Sequence, residues 1–147
     1  MSVTDRDESG TDRTARRYPA PVRALAAWFL AIAVAAIIFA LSAQPNLHVT
    51  EGDADLVLRR CAHIAVYAAL AVACVRGLAH HGLGQRAQLL GAAAMALAYA
   101  IGDEYHQTFV PGRSGAPRDV AIDLVGICAG LLLLSRNARL RARVAPA

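Results

Sequence analysis

From Ala24 to Leu41 the sequence is an unbroken run of eighteen apolar residues, and no formal charge appears between Arg23 and Glu51. At about 1.5 Å per residue such a run spans roughly 27 Å as a helix, close to the hydrocarbon thickness of a bilayer. It exceeds the roughly 7–15 apolar residues of a cleaved signal peptide, although Leu41-Ser42-Ala43 loosely resembles a cleavage site. The Arg16-Arg17 pair also lacks a twin-arginine context. The run therefore predicts a transmembrane helix, and everything else in the chain has to be read around it.

Three shorter apolar blocks follow. Cys61–Val75 is interrupted only by His63 and Tyr67, Ala87–Gly102 carries Gln88, and Val120–Leu134 contains Asp123. Hydrophobic residues make up 56% of the chain but aromatic residues only 5%, so these blocks are built mainly of Ala, Leu, Val and Ile. Blocks of this length also suit buried helices of soluble proteins. Beside an anchored first helix, with Arg76, Arg86 and Arg136 placed to snorkel, they predict further spans. The expected fold is an all-α membrane protein, a four-transmembrane-helix bundle over residues 24–135. A polar, disordered cytoplasmic tail over 1–23 and a basic cytoplasmic tail over 136–147 flank it.

All fifteen basic residues are Arg. With four spans, eleven of them fall on one side: five before Ala24, then Arg76, Arg86 and the four after Leu134. The other side holds only Arg59, Arg60, Arg113 and Arg118. The positive-inside rule then puts the protein in the cell membrane with both termini cytoplasmic and the loops 42–60 and 103–119 outside. The pI near 9.4 does not imply nucleic acid, because the arginines flank apolar blocks and form no stripe. Cys61, Cys74 and Cys128 all lie within apolar blocks, an odd number without metal or disulfide spacing, and read as small hydrophobes in helices.

The polar residues concentrate in the two outward loops and the adjoining helix ends. Arg60, His63 and Tyr67 share a helical face at offsets of three and seven. Asp119 and Asp123 are four apart, and Gly126 and Gly130 continue their stripe. Glu104 and Gln107 sit near the outer end of the third helix; Pro111-Gly112 makes a turn with Arg113 behind it; Ser42 and Gln44 precede the helix-ending Pro45. Each has a bland reading. His63 can be a hydrogen-bonded packing residue, Gly126 and Gly130 can simply permit close helix packing, and Ser42 and Gln44 can cap the first helix. Arg113 and Arg118 can be structural partners of acids, and Glu51, Asp53 and Asp55 read as solvated. Asp123, however, lies about one helical turn inside the membrane, where an unpaired carboxylate costs several kcal/mol. Ionisable residues of three helices converging at one end favour a functional pocket.

Ser42-Ala43-Gln44-Pro45, Arg60-Cys-Ala-His63-Ile-Ala-Val-Tyr67, Gly102-Asp103-Glu104-Tyr-His-Gln107-Thr-Phe109-Val-Pro111-Gly112-Arg113 and Asp119-x-x-x-Asp123-x-x-Gly126 together resemble the VanZ-like family, over about residues 25–135. The resemblance implies a small polytopic membrane protein, in a family whose founding member is associated with resistance to teicoplanin. It also implies roles for Ser42, Gln44, His63, Tyr67, Glu104, Gln107, Arg113, Asp119 and Asp123. Arg60 stands where the family often has Lys, and Asp123 where Asn is frequent.

Three functions compete. In the first, the pocket binds an anionic membrane lipid, a lipid-linked cell-wall precursor or a lipoglycopeptide, with Arg113 as the anion partner. In the second, an intramembrane hydrolase or transferase acts on lipid with His63 or Glu104 as general base, Asp119 or Asp123 orienting it, and Arg113 stabilising charge. Ser42 would be a nucleophile only beside His63. In the third, the polar network merely sets helix register. No His-Glu-x-x-His spacing supports a metal held by His63, His106 and the acids, and no cofactor is expected. Four short helices without an internal repeat argue against a transporter.

Overall fold

The computed structural model describes residues 20–45, 53–113 and 115–144. The N-terminal tail up to residue 19 and Glu51 lie outside the described residues. Within them every element is helical: α1 (Ala20–Ser42), α2 (Asp53–Leu78), α3 (Gln85–Gln107), α4 (Pro117–Arg136) and a short α5 (Ala138–Val144).

The helix ends follow local chemistry. Pro21 sits in the first turn of α1, where the missing N–H has no partner to lose. Pro45 stands just past its C-terminus. A 3-10 turn, Ala79–His81, extends α2 and is closed by Gly82 at φ 68°, a left-handed conformation that suits a residue without Cβ. Ala116 is extended at φ −138°, as steric pressure from a following proline requires, and Pro117 opens α4 with Asp119 in its first turn. Polar residues lengthen the apolar blocks at both ends. The second block begins at Cys61 but α2 starts at Asp53, and the third ends at Gly102 but α3 runs to Gln107. The basic segment after Arg136 folds into α5.

Two helical segments, Pro21–Ser42 and Val57–His81, are long and apolar enough by length and composition to cross a membrane. The distribution of side chains points the same way. Leu25, Phe29 and Ile32 on α1, Leu90 and Ile101 on α3, and Val125 and Leu133 on α4 are exposed. Ser42, Asp103, Glu104, Gln107 and Asp123 are buried. A soluble domain places these classes the other way round, whereas a lipid-facing surface has no water to avoid.

α2 is the central helix and packs against α1, α3 and α4, most extensively α4. Two glycines make that last contact possible. A Cβ at Gly126 would lie 2.4 Å from the Ile64 carbonyl oxygen, and one at Gly130 would lie 2.7 Å from that of Ala68. Along the apolar part of α3 the residues turned inward are small, and Ala92, Ala96 and Ala100 are fully buried at a spacing of four. Tyr67, Leu70, Ala71 and Cys74 of α2 meet Ile127 and Leu134 of α4 in the core. Cys61 and Cys128 instead lie exposed on the helix surface, so only Cys74 is the packed hydrophobe that the sequence suggested for all three.

Candidate functional site

The C-terminus of α1, the N-terminus of α2, the C-terminus of α3 and the N-terminus of α4 meet at one end of the bundle, and the buried polar residues collect there. His63 projects from α2 toward α4, and its Nδ1 lies 2.9 Å from Oδ1 of Asp123. The Asp123 side chain is 0% exposed and that of His63 is 26% exposed, so the pair joins the interior to an opening. The ring of Tyr67, one helical turn along α2, stacks against His63 at 6.1 Å between centroids. Gly126, one turn along α4 from Asp123, sits against Ile64, the neighbour of His63. The closeness of those two backbones is what lets a short aspartate reach the imidazole.

A second network comes from the end of α3. Asp103 and Gln107 are four apart and therefore share a face, and Gln107 Nε2 donates to Asp103 Oδ2 at 3.0 Å. The same nitrogen donates to Glu104 Oε1 at 3.1 Å. Ser42 Oγ, at the end of α1, donates to Asp103 Oδ2 at 2.7 Å. The Ala116 N–H, just ahead of α4, donates to Glu104 Oε2 at 3.0 Å. Three chain segments are tied together through two carboxylates. Glu104 lies beyond the apolar block of its helix. Burial pushes its carboxyl above the ordinary carboxylate range, the Ala116 N–H pulls it down, and Asp119 and Asp123 add upward pressure.

Arg113 locks the connection between α3 and α4 onto α1. The turn Val110-Pro111-Gly112-Arg113 is closed by the Arg113 N–H bonding to the Val110 carbonyl at 3.1 Å, with Gly112 at φ 79° in its third position. The guanidinium then donates through Nε to the Gln44 carbonyl at 3.2 Å and through Nη2 to the Leu41 carbonyl at 2.9 Å. Both acceptors belong to the C-terminal end of α1, where carbonyls lack helical partners and the helix dipole is negative. Arg118 Nε lies 3.6 Å from Asp119 Oδ1 in a largely exposed pair.

Between these groups is a cavity of about 230 Å³ walled by Arg59, Arg60, Arg113 and Arg118 together with His63, Glu104, Gln107 and Asp119. A second, apolar cavity of about 170 Å³ lies between α1 and α2, lined by Ile38, Leu41, Leu58 and Val66. Arg59, His63 and Arg113 line both. A polar compartment thus opens beside a greasy one at the same end of the bundle.

Most of the residues singled out from the sequence converge here, in three different ways. His63, Glu104, Gln107, Arg113, Asp119 and Arg60 line the polar cavity. Asp123 and Tyr67 lie behind its wall, both fully buried, with Asp123 Oδ2 and the Tyr67 hydroxyl lacking hydrogen-bond partners. Ser42 borders the apolar cavity, as His63 does, and its hydroxyl donates to Asp103 Oδ2. Gln44 contributes its backbone carbonyl, while its side chain is exposed. His106 packs its ring against Phe39 at 4.8 Å. Asp103 is the residue that sequence reading undervalued. Its spacing of four from Gln107 was the available signal. Among the described residues, His63, Glu104 and Asp123 offer ligand atoms within 4.8 Å of one another, the one group able to hold a metal ion.

The family model described as VanZ/LLP1 matches residues 26–138, which takes in most of α1, all of α2 to α4 and every residue of the site. Neither the curated proteins nor the solved structures contain a match to the chain.

Proposed function

The chain belongs to the VanZ/LLP1 family, and from that premise we propose that it is a four-span cell-membrane protein that binds the anionic head of an envelope lipid or lipid-linked cell-wall precursor. Both termini are cytoplasmic in this reading, because the sequence assigns eleven of the fifteen arginines to the side opposite the loops that border the cavity. The cavity then opens to the outer face.

The observation that carries the proposal is the pair of adjoining cavities. Four arginines line the polar one, and guanidinium matches phosphate and carboxylate through parallel N–H donors. The apolar one, between α1 and α2, is lined by Ile38, Leu41, Leu58 and Val66 and suits the first part of a hydrocarbon chain. A headgroup and its tail require these two environments side by side. Holding such a lipid would change how a lipoglycopeptide meets the outer surface, which links the site to teicoplanin. Two measurements test the reading. Native mass spectrometry of the purified protein should retain an anionic lipid or precursor, with retention lost in Arg113→Ala at unchanged helicity. Teicoplanin susceptibility should differ between cells with and without the protein. Unchanged susceptibility in a competent host ends the antibiotic part, and equal retention by Arg113→Ala ends the headgroup assignment.

A catalytic reading is favoured by one specific contact, the His63–Asp123 pair at 2.9 Å with His63 open to the cavity. A buried carboxylate holding an imidazole in one orientation is the arrangement of a general base and its orienting acid. Comparison of the lipids of cells carrying the native protein, His63→Ala or Glu104→Gln decides it. An identical lipid and precursor profile in all three rejects catalysis.

A further inference from the structure

The polar cavity is walled by arginines, yet the groups at its floor are of another kind. His63 from α2, Glu104 from α3 and Asp123 from α4 bring an imidazole and two carboxylates to within 4.8 Å of one another. Nothing in the sequence spacing of 63, 104 and 123 marks them as a set; the packing of three helices assembles them. We propose that these three side chains form a binding site for one first-row divalent cation of the zinc or manganese type.

The geometry is close to what such an ion requires. Ligand atoms around a tetrahedral ion with bonds of about 2.05 Å stand about 3.3 Å apart. His63 Nδ1 and Asp123 Oδ1, 2.9 Å apart, come within about half an ångström of that spacing. The ion would take the place of the proton that these atoms share. The three ligand atoms lie within 4.8 Å of one another, so the widest pair closes by up to about 1.5 Å onto such an ion, through the torsions of the Glu104 side chain. The supporting bonds are in place as well. Glu104 is oriented by the Ala116 N–H and by Gln107, and hydrogen bonds of this kind to ligating carboxylates fix them for a metal.

Charge and satisfaction point to the same occupant. Asp123 is 0% exposed and its Oδ2 has no hydrogen-bond partner. A buried carboxylate oxygen of that kind requires a proton, a donor or a cation. Two carboxylates beside one imidazole are balanced by a divalent cation. The donor set selects the ion. Calcium and magnesium take oxygen ligands, whereas one imidazole with two carboxylates suits zinc or manganese. Three protein ligands also leave a coordination position open on the side of the cavity, the pattern of sites where the ion meets water or a bound oxyanion.

The proposal does not depend on the lipid reading, and its test uses the metal alone. Purified protein in detergent is stripped with chelator and titrated separately with Zn²⁺, Mn²⁺ and Ca²⁺. Bound metal is counted after desalting, and helicity and size-exclusion profile report the fold. One Zn²⁺ or Mn²⁺ per chain is expected, with at least tenfold weaker binding in His63→Ala, Glu104→Gln and Asp123→Asn, and no stoichiometric Ca²⁺. A His80→Gln/His81→Gln variant, changed at the far end of the bundle, should bind as the native chain does. X-ray absorption of the native zinc-loaded protein provides a check that needs no variant, because one nitrogen-type and two carboxylate ligands are expected and no sulfur. Absence of stoichiometric binding overturns the proposal. So does binding that survives Asp123→Asn or disappears with His80 and His81.

Discussion

Replacing Gly126 by alanine tests whether the site depends on the closeness of α2 and α4. The added Cβ would lie 2.4 Å from the Ile64 carbonyl oxygen, where ordinary contact begins at 3.4 Å. The obstructing atom is backbone, so no side chain can turn away, and α4 must withdraw from α2 by about 1 Å at that level. Overpacking of this size costs about 1–3 kcal/mol, a factor of roughly 5 to 150 in the folding equilibrium. The same withdrawal lengthens the His63–Asp123 contact from 2.9 Å to about 3.9 Å, beyond hydrogen-bonding range. Both consequences are measurable. Unfolding in mixed micelles with increasing SDS should show a destabilisation of about 1–3 kcal/mol, and the imidazole ¹⁵N chemical shifts of His63 should lose the signature of a bond to Asp123. Gly102→Ala is the matched control, because nothing lies within 4 Å of its Cβ position. It should be neutral or stabilising by up to about 1 kcal/mol, the propensity difference between the two residues in a helix. If Gly126→Ala were as stable as Gly102→Ala and kept the His63 signals, the close approach would not be what sets the site.

Further substitutions probe other parts of the same end. Arg113→Ala removes the donors to the Leu41 and Gln44 carbonyls and should destabilise the fold by about 1 kcal/mol in the same unfolding assay, with Arg113→Lys recovering only part because the fork is lost. Ser42→Ala should cost about 1.5–3 kcal/mol through its bond to a carboxylate, and Asp103→Ala more, since it strands both Ser42 and Gln107; equal effects would deny Asp103 its central place. In a background with Cys61, Cys74 and Cys128 replaced by alanine, Arg113→Cys should react with an impermeant thiol reagent added to whole cells and Arg139→Cys only after lysis; the reverse pattern would invert the proposed orientation.

Much of the architecture follows from the chain alone, for a reason specific to this solvent. The run from Ala24 to Leu41 has to be a helix in a bilayer, because backbone groups in hydrocarbon must bond within their own segment. Proline at 21 and 117 and glycine at 82 and 112 then punctuate helices and turns through local sterics that no distant contact needs to supply. The extended motifs place the chemistry at one end of the helices, and Arg113 stands directly behind the Pro111-Gly112 turn. What remained open was rotation and depth. Asp103 and Glu104 are neighbours, and only the packing of α1 against α3 decides that Asp103 receives Ser42 while Glu104 borders the cavity. His63 and His106 look alike in sequence, yet one meets Asp123 and the other lies against Phe39. The partners in these contacts stand about sixty residues apart along the chain. Their meeting depends on the height and angle at which whole helices dock, which apolar length does not encode. Gly126 and Gly130 set that docking by letting two backbones touch, and the tertiary structure thereby gathers polar groups of four helices at one end of the bundle.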